Sequence, residues 1–195
     1  MSYLPLKLLL RRLKHEEEDL KKNNIWFARY DFYDESKGKE FEYVYVPTIY
    51  EYEKVPVVVK YTVRIEAQGY WKTGTIRKKI IEWKNHTFEI YILRNYPYPD
   101  ISGKYRLGAP IRLRWLSPIF HPNIAPGPGY GGDGVVCWDI LKKWIRIFNL
   151  ISIIKGIKFL IENPNPDDPL RYPICKEAAM WFRAKSIKVI KKGEK

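Results

Sequence analysis

The chain reads as an α+β domain, with helices at its two ends and an antiparallel sheet between them. Leucines recur at helical spacing over residues 5–22, and helical spacing returns from 149 to 192. Between these ends, over 25–115, apolar and polar residues alternate in several short runs, and no helical pattern separates one run from the next. Parallel neighbours would need helical crossovers, so the sheet is expected to be antiparallel. A length of 195 residues with 46% hydrophobic content suits one buried core, and a single domain over 1–195 is expected.

In residues 5–22 (PLKLLLRRLKHEEEDLKK) Leu6, Leu9, Leu10, Leu13 and Leu20 fall near one face, while Lys7, Arg11, Lys14 and Lys21 point to solvent. Pro5 suits the first turn, where its missing N–H is no loss. After Asn23 and Asn24 the period drops to two in 25–33 and again in 41–46, and the turn-like DESKGK between them predicts a hairpin. The clearest strand is 56–67, where Val57, Val59, Tyr61, Val63 and Ile65 alternate with Lys60, Thr62, Arg64 and Glu66. Strands at 86–93 and 111–115 follow, with 78–83 a weaker candidate edge.

From 116 to 148 Pro118, Pro122, Pro126, Pro128 and five glycines before Cys137 predict irregular chain packed against the sheet. Long ordered loops of this kind tend to carry function. Leu150, Ile153, Ile154, Ile157, Leu160 and Ile161 then define a core-facing helix, with Asn149 as an N-cap worth ~1 kcal/mol and Pro164 as its stop. A last helix from about Pro173 to Lys192 turns Ala178, Trp181, Phe182 and Ile187 inward.

Thirty-five Lys and Arg against 22 Asp and Glu leave a formal charge of +13, which suits an acidic protein, a nucleic acid or an anionic membrane surface. Two cysteines, Cys137 and Cys175, are too few for a disulfide framework, so a reducing cytoplasm is expected. The most apolar stretch, 149–161, is interrupted by Lys155 and Lys158 and is far shorter than the roughly 20 residues of a membrane span. Basic residues fall within and after the first leucines, the wrong order for a secretory signal. A single glutamine among many Lys, Ile and Tyr leans toward a thermophile, against which eight asparagines weigh.

The chemistry concentrates around Cys137. Three runs frame it: HPNI at 121–124, GDGVVCWDIL at 132–141 and NPNPDDPL at 163–170. A free thiol, with a reference pKa of ~8.5, is only a few per cent thiolate at neutral pH. Thioester exchange suits it, because a thiolate attacks an incoming thioester and later leaves readily when an amine attacks. That second step needs a group to stabilise the tetrahedral oxyanion and a group to hold and deprotonate a lysine. Asn123 and Asp168 are of the types that serve these two needs.

From Tyr96 to Leu170 the sequence resembles the ubiquitin-conjugating enzymes. YPYP at 96–99, PIRLRWLSPIFHPNI at 110–124, GDGVVCWDIL, Trp144 and NPNPDDPL stand in that family's order and cover more than a third of the chain. The amino-terminal helix and meander are similar in layout. The resemblance implies the family's fold: an N-terminal helix at 5–22, an antiparallel meander sheet of about four strands over 25–115, an active-site region at 116–148 and C-terminal helices over 149–192. It implies that Cys137 accepts a ubiquitin-like modifier as a thioester. Asn123 then organises the loop and stabilises the oxyanion, and Asp168 stands near the acceptor lysine. His121 and Pro122 would be structural, the imidazole holding the loop through backbone hydrogen bonds.

The implied partners are the modifier, an ATP-dependent activating enzyme that meets Arg11, Arg12 and Lys14 on the first helix, a RING-type ligase that meets Tyr98, and lysine-bearing protein substrates. No cofactor is implied, and no phosphate-binding glycine motif is present. Three departures stand out: a lengthened spacer at 125–131, an inserted segment at 100–109, and IRIF at 145–148 where many relatives carry Ser-Pro-Ala.

Four other readings compete. A cysteine hydrolase would use Cys137, His121 and Asn123, with the imidazole within reach of sulfur. A non-catalytic module of the same fold would merely pack Cys137, although such variants usually lack it. Nucleic-acid binding finds support in charge but no RNA-binding signature, since the aromatics fall at strand-core spacing. A zinc site from His86, His121, Cys137 and Cys175 lacks the usual ligand spacing, so no metal is expected, and Cys175 reads as a small buried hydrophobe.

Overall fold

The computed structural model describes residues 3–74, 79–100 and 107–193, and of 186–193 only the backbone. Helix α1 spans Leu6–Lys22 and buries Leu9, Leu13 and Leu20. Pro5 lies just outside it, in extended backbone, and its carbonyl accepts from the amides of Leu8 (2.9 Å) and Leu9 (3.1 Å). Lys7, Arg11, Lys14 and Lys21 are exposed.

Five antiparallel strands follow: β1 (Trp26–Asp31), β2 (Glu42–Pro47), β3 (Tyr52–Thr73), β4 (Lys79–Leu93) and β5 (Ile111–Trp115). The hairpin expected between 25–33 and 41–46 does not form. Both segments instead lie antiparallel to β3, β1 opposite Val59–Arg64 and β2 opposite Tyr52–Val57. They act as one edge strand interrupted by residues 32–41, where Asp34 caps a short turn at Glu35–Lys37. The reason is the length of β3: at 22 residues it offers both segments a partner end to end. The expected strand 56–67 is only the middle of β3, and 78–83 is no separate edge, because Lys79–Trp83 opens β4 opposite Gly69–Thr73.

Two register shifts in the β3–β4 pairing set the shape. Beyond the shift between Val57 and Val59, Val59, Tyr61 and Val63 face the main core with Phe88, Ile90 and Ile92 of β4 and the leucines of α1. Before it, Val55 and Val57 join Val46, Tyr91 and Leu93 in a second, smaller core. Tyr91 and Leu93 alternate with Ile90 and Ile92, so this second core lies on the sheet face away from the helices. Glu53 fastens it by an ion pair of 2.7 Å to Arg112 of β5, whose guanidinium is fully buried and also donates to the carbonyls of Ala109, Ile111 and Leu107. The β2–β3 hairpin is thereby drawn across the sheet. Leu107–Ala109 belongs to the inserted segment at 100–109, of which 101–106 lie outside the described residues.

Residues 116–148 are irregular apart from one turn at Asp139–Leu141. Helix α2 (Leu150–Glu162) starts at Asn149, whose side chain accepts from the Ser152 amide while Ser152 Oγ accepts from the Asn149 amide. It buries Leu150, Ile153, Ile154, Ile157 and Ile161 and ends at Asn163, one residue before Pro164. Helix α3 spans Pro173–Gly193. Ala178 is buried, but Trp181 and Phe182 are half-buried against Tyr70 (ring centroids 4.9 and 5.7 Å) rather than in the main core. They clasp the far end of the β3–β4 ribbon, where Lys72 also pairs with Glu177 and the Tyr70 carbonyl accepts from the Phe120 amide at 2.7 Å. The inward turn expected of Ile187 lies outside the described side chains. No helix among the described residues is long and apolar enough to cross a membrane.

Candidate active site

His121 is buried, and both its ring nitrogens are engaged by the main chain. Nδ1 accepts from the Asn123 amide at 3.0 Å, which leaves Nε2 to donate to the Leu160 carbonyl at 3.0 Å. Burial pulls its pKa down to about 3, so the ring is neutral and keeps this tautomer. It has no nitrogen left to take a thiol proton, and the hydrolase geometry is absent.

Asn123, 4% exposed, ties the motif to the segment after α2. Its Nδ2 donates to the carbonyls of Asn165 and Asp168, both at 2.9 Å, and its Oδ1 accepts from the Asn165 amide at 2.8 Å. The Leu170 amide adds a bond to the Pro122 carbonyl at 2.8 Å. Both Nδ2 hydrogens are therefore occupied, and a bond to an oxyanion requires one of them to be released.

The lengthened spacer does not separate Asn123 from Cys137. It loops outward and returns through a bridge between Ile124 and Val136, with the Cys137 amide donating to the Asn123 carbonyl at 2.8 Å. Gly134 makes the return possible. Its φ is +85° and a Cβ there would lie 2.2 Å from the Trp115 carbonyl oxygen, so only glycine can press the chain against the end of β5. Gly156 of α2 is needed for a similar reason: a Cβ would meet the Trp138 ring at 2.3 Å, in the residue that follows the thiol.

Cys137 is half-buried, and Cys175 is buried beneath it in a small cluster with Ala125, Val135 and Leu170. Burial raises the Cys137 pKa; Lys142 opposes the shift, and Asp168 and Asp139 add to it. The resting group is a thiol. It opens on a cleft of about 580 Å³, walled on one side by Thr48–Tyr52 and on the other by Asp168–Pro173, with Asp133 and Lys142 also lining it. Asp168 is exposed there, its main chain held by Asn123. A larger groove of about 770 Å³, between the start of β1 and α2, contains neither cysteine.

The expected partner residues differ in availability. Arg11 and Lys14 are exposed. Arg12 is partly withdrawn: it pairs with Glu16 at 2.7 Å, donates to the Phe148 carbonyl at 3.1 Å and lies over the Tyr96 ring. Tyr98 is half-buried in a loop whose Pro97 carbonyl accepts from Trp144 Nε1 at 2.8 Å. Ile145 and Ile147, in the departing IRIF run, are 50% and 75% exposed.

A thiol, a pinned amide and a carboxylate thus lie close together beside a sheet flanked by helices. A sequence profile of the ubiquitin-conjugating enzymes matches residues 39–186, and the chain belongs to that family. Its relatives include a mouse (Mus musculus) ubiquitin-conjugating enzyme E2 T, 33% identical over 113 residues that cover 55% of this chain and 46% of that protein. A NEDD8-conjugating enzyme, ubc12, of Schizosaccharomyces pombe is 34% identical over 113 residues, 57% of this chain and 47% of that one. The matched stretch thus spans about half the length of these relatives. Among solved structures, S. cerevisiae Ubc12 superposes with a TM-score of 0.53 at 25% identity, over 89% of this chain and 70% of that one.

Some of the cleft was not foreseen from sequence. Thr48–Tyr52 gave no signal, because its nearness to Cys137 arises only from the curl of the β2–β3 hairpin. Asp133 and Asp139 were in view within the GDGVVCWDIL run, whereas Tyr172, which donates to Asp133 at 2.6 Å, lies outside every recognised motif.

Proposed function

We propose that this chain accepts the carboxy terminus of a ubiquitin-like modifier on Cys137 and passes it to a lysine amine. The observation that carries the reading is the stitching of Asn123 to the main chain of both Cys137 and Asp168, which brings the thiol and the carboxylate to one cleft. In the first step Cys137, as thiolate, attacks the thioester carbonyl of a charged activating enzyme, whose own thiolate leaves. In the second a lysine gives up a proton toward Asp168 and attacks the Cys137 thioester. The C–N bond forms, the C–S bond breaks and Cys137 departs as thiolate. Asn123 holds the loop and, after releasing one carbonyl, donates to the oxyanion. The ATP is used by the activating enzyme. A reducing compartment, where Cys137 stays a thiol, is the setting this chemistry needs.

The exposed Arg11 and Lys14 of α1 are the contacts proposed for the activating enzyme, with Arg12 contributing mainly to the helix junction. Tyr98 with Ile145 and Ile147 is the face proposed for a ligase. The test mixes the protein with activating enzyme, modifier and ATP and looks on a non-reducing gel for a thiol-labile adduct. Wild type is expected to form it. Cys137→Ser is expected to form none that thiol removes, and a thiol-labile adduct on that variant would show the nucleophile to be another residue. Asn123→Ala and Asp168→Ala are expected to charge but to discharge to lysine more slowly, by about 10- to 100-fold.

A further inference from the structure

The turn at Thr48–Tyr52 belongs to none of the motifs around Cys137, yet it forms one wall of the cleft that opens on the sulfur. It is held firmly there. Thr48 Oγ1 donates to the Glu51 carbonyl at 2.8 Å and accepts from the Tyr50 and Glu51 amides at 3.3 Å. Ile49 packs against the cluster of Ala125, Val135, Leu170 and Cys175 that also touches Cys137. Behind the turn, the ion pair of Glu53 with the buried Arg112 fixes the hairpin to β5. From the opposite wall Tyr172 holds Asp133 in place by its 2.6 Å hydrogen bond.

The charge of this cleft runs against that of the molecule. Glu51, Asp133 and Asp168 face only Lys142 and Arg171 within it, in a chain of formal charge +13. Such a cleft favours a cationic occupant. Tyr52 is 55% exposed at its mouth, an aromatic surface suited to an alkyl stem or a cation.

We infer that Glu51 and Tyr52 form the acceptor-side wall of the catalytic cleft and select lysines that have a second basic residue beside them. The acceptor lysine reaches past Tyr52 toward Asp168 and the thioester, and its basic neighbour lies against Glu51. Glu51 and Tyr52 are specificity-determining residues and take no part in bond making. The inference rests on the reading of Cys137 as a thioester carrier, and the experiment separates the two.

Cys137 is loaded without any partner enzyme by a short synthetic peptide thioester of mercaptoethanesulfonate. The Cys137 thiolate displaces the mercaptoethanesulfonate thiolate, and mass spectrometry reads the acyl-protein. Discharge is then followed with two peptides, one with arginine next to its lysine and one with glutamate there. Wild type is expected to half-saturate with the arginine peptide at a concentration about fivefold lower than with the glutamate peptide. Glu51→Gln is expected to shrink that difference below about twofold, and Tyr52→Ala to raise the half-saturating concentration of both peptides alike, each leaving the rate at saturation and discharge to hydroxylamine unmoved. Equal use of both peptides by wild type, an undiminished preference in Glu51→Gln, or unchanged half-saturation in Tyr52→Ala overturns the inference while loading leaves the carrier reading standing. Variants that fail to load also overturn it, by showing that the turn shapes the thiol's loop instead. If wild-type Cys137 does not load, the carrier reading falls and the inference with it.

Discussion

Cys137 is kept as a thiol by its surroundings. Burial and the nearby Asp168 and Asp139 disfavour the thiolate, and Lys142 only partly offsets them. Alkylation of Cys137 by iodoacetamide is therefore expected to keep rising with pH beyond the midpoint of an unperturbed thiol, as read by peptide mass mapping. A midpoint near neutrality would mean an activated thiolate and would refute this electrostatic account. Such a thiol suits a carrier whose reactions are set by what docks beside it. At this scale the sequence was informative where chemistry fixes residue type: Cys137, Asn123 and Asp168 stand close together, and His121 faces only backbone. It was uninformative about Arg12, because nothing in a basic helical face reveals that one arginine folds back onto Glu16 and the Phe148 carbonyl.

Glu16 shows how the elements are joined. It is 6% exposed on α1, and its carboxylate accepts from Arg12, from Tyr96 Oη at 2.8 Å and from the Leu150 amide at the start of α2 at 2.9 Å. Burial raises its pKa despite these partners. The α1–α2 junction and the loop carrying Tyr96 thus meet on one carboxylate. Glu16→Ala leaves the Leu150 amide and the Tyr96 hydroxyl without that acceptor and is expected to cost about 2–3 kcal/mol, measured as a fall in the urea midpoint at constant slope. A loss below about 0.5 kcal/mol would show the junction to rest on apolar packing alone. Helices and their caps were legible here because their signals are local: leucine spacing in α1, and Asn149 with Ser152 in α2. Strand partners were not. The periods of 25–33 and 41–46 identified strands correctly but could not reveal that β3 would pair with both, since alternation fixes which face is buried and says nothing of the neighbour.

Two buried histidines give the whole molecule a pH dependence. Burial lowers His86 to about 4 and His121 to about 3, each from 6.5. Native histidines that resist protonation contribute stability that is complete above pH 6.5 and is lost as pH falls toward 4 and 3, because the unfolded chain takes up the protons first. The loss is expected to be on the order of 2 kcal/mol per histidine by pH 5. Glu16, whose carboxyl is raised by burial, works in the opposite sense, one group against two. Urea midpoints measured at pH 7.5 and pH 5 check this, and equal midpoints would contradict it.

What reads directly from the chain is whatever depends on near neighbours: the amphipathic helices, the alternating strands, the glycine- and proline-rich stretch, and the three runs that frame one thiol. What the tertiary structure alone decides is who meets whom across long separations. Two register shifts and the Glu53–Arg112 pair draw a distant turn to the mouth of the cleft at Cys137. The same folding hides Arg12 and sets Trp181 and Phe182 against the β3–β4 ribbon. The physical reason is that hydrophobic burial is non-directional, so a sequence can fix which side chains leave water without fixing which of several apolar surfaces covers them.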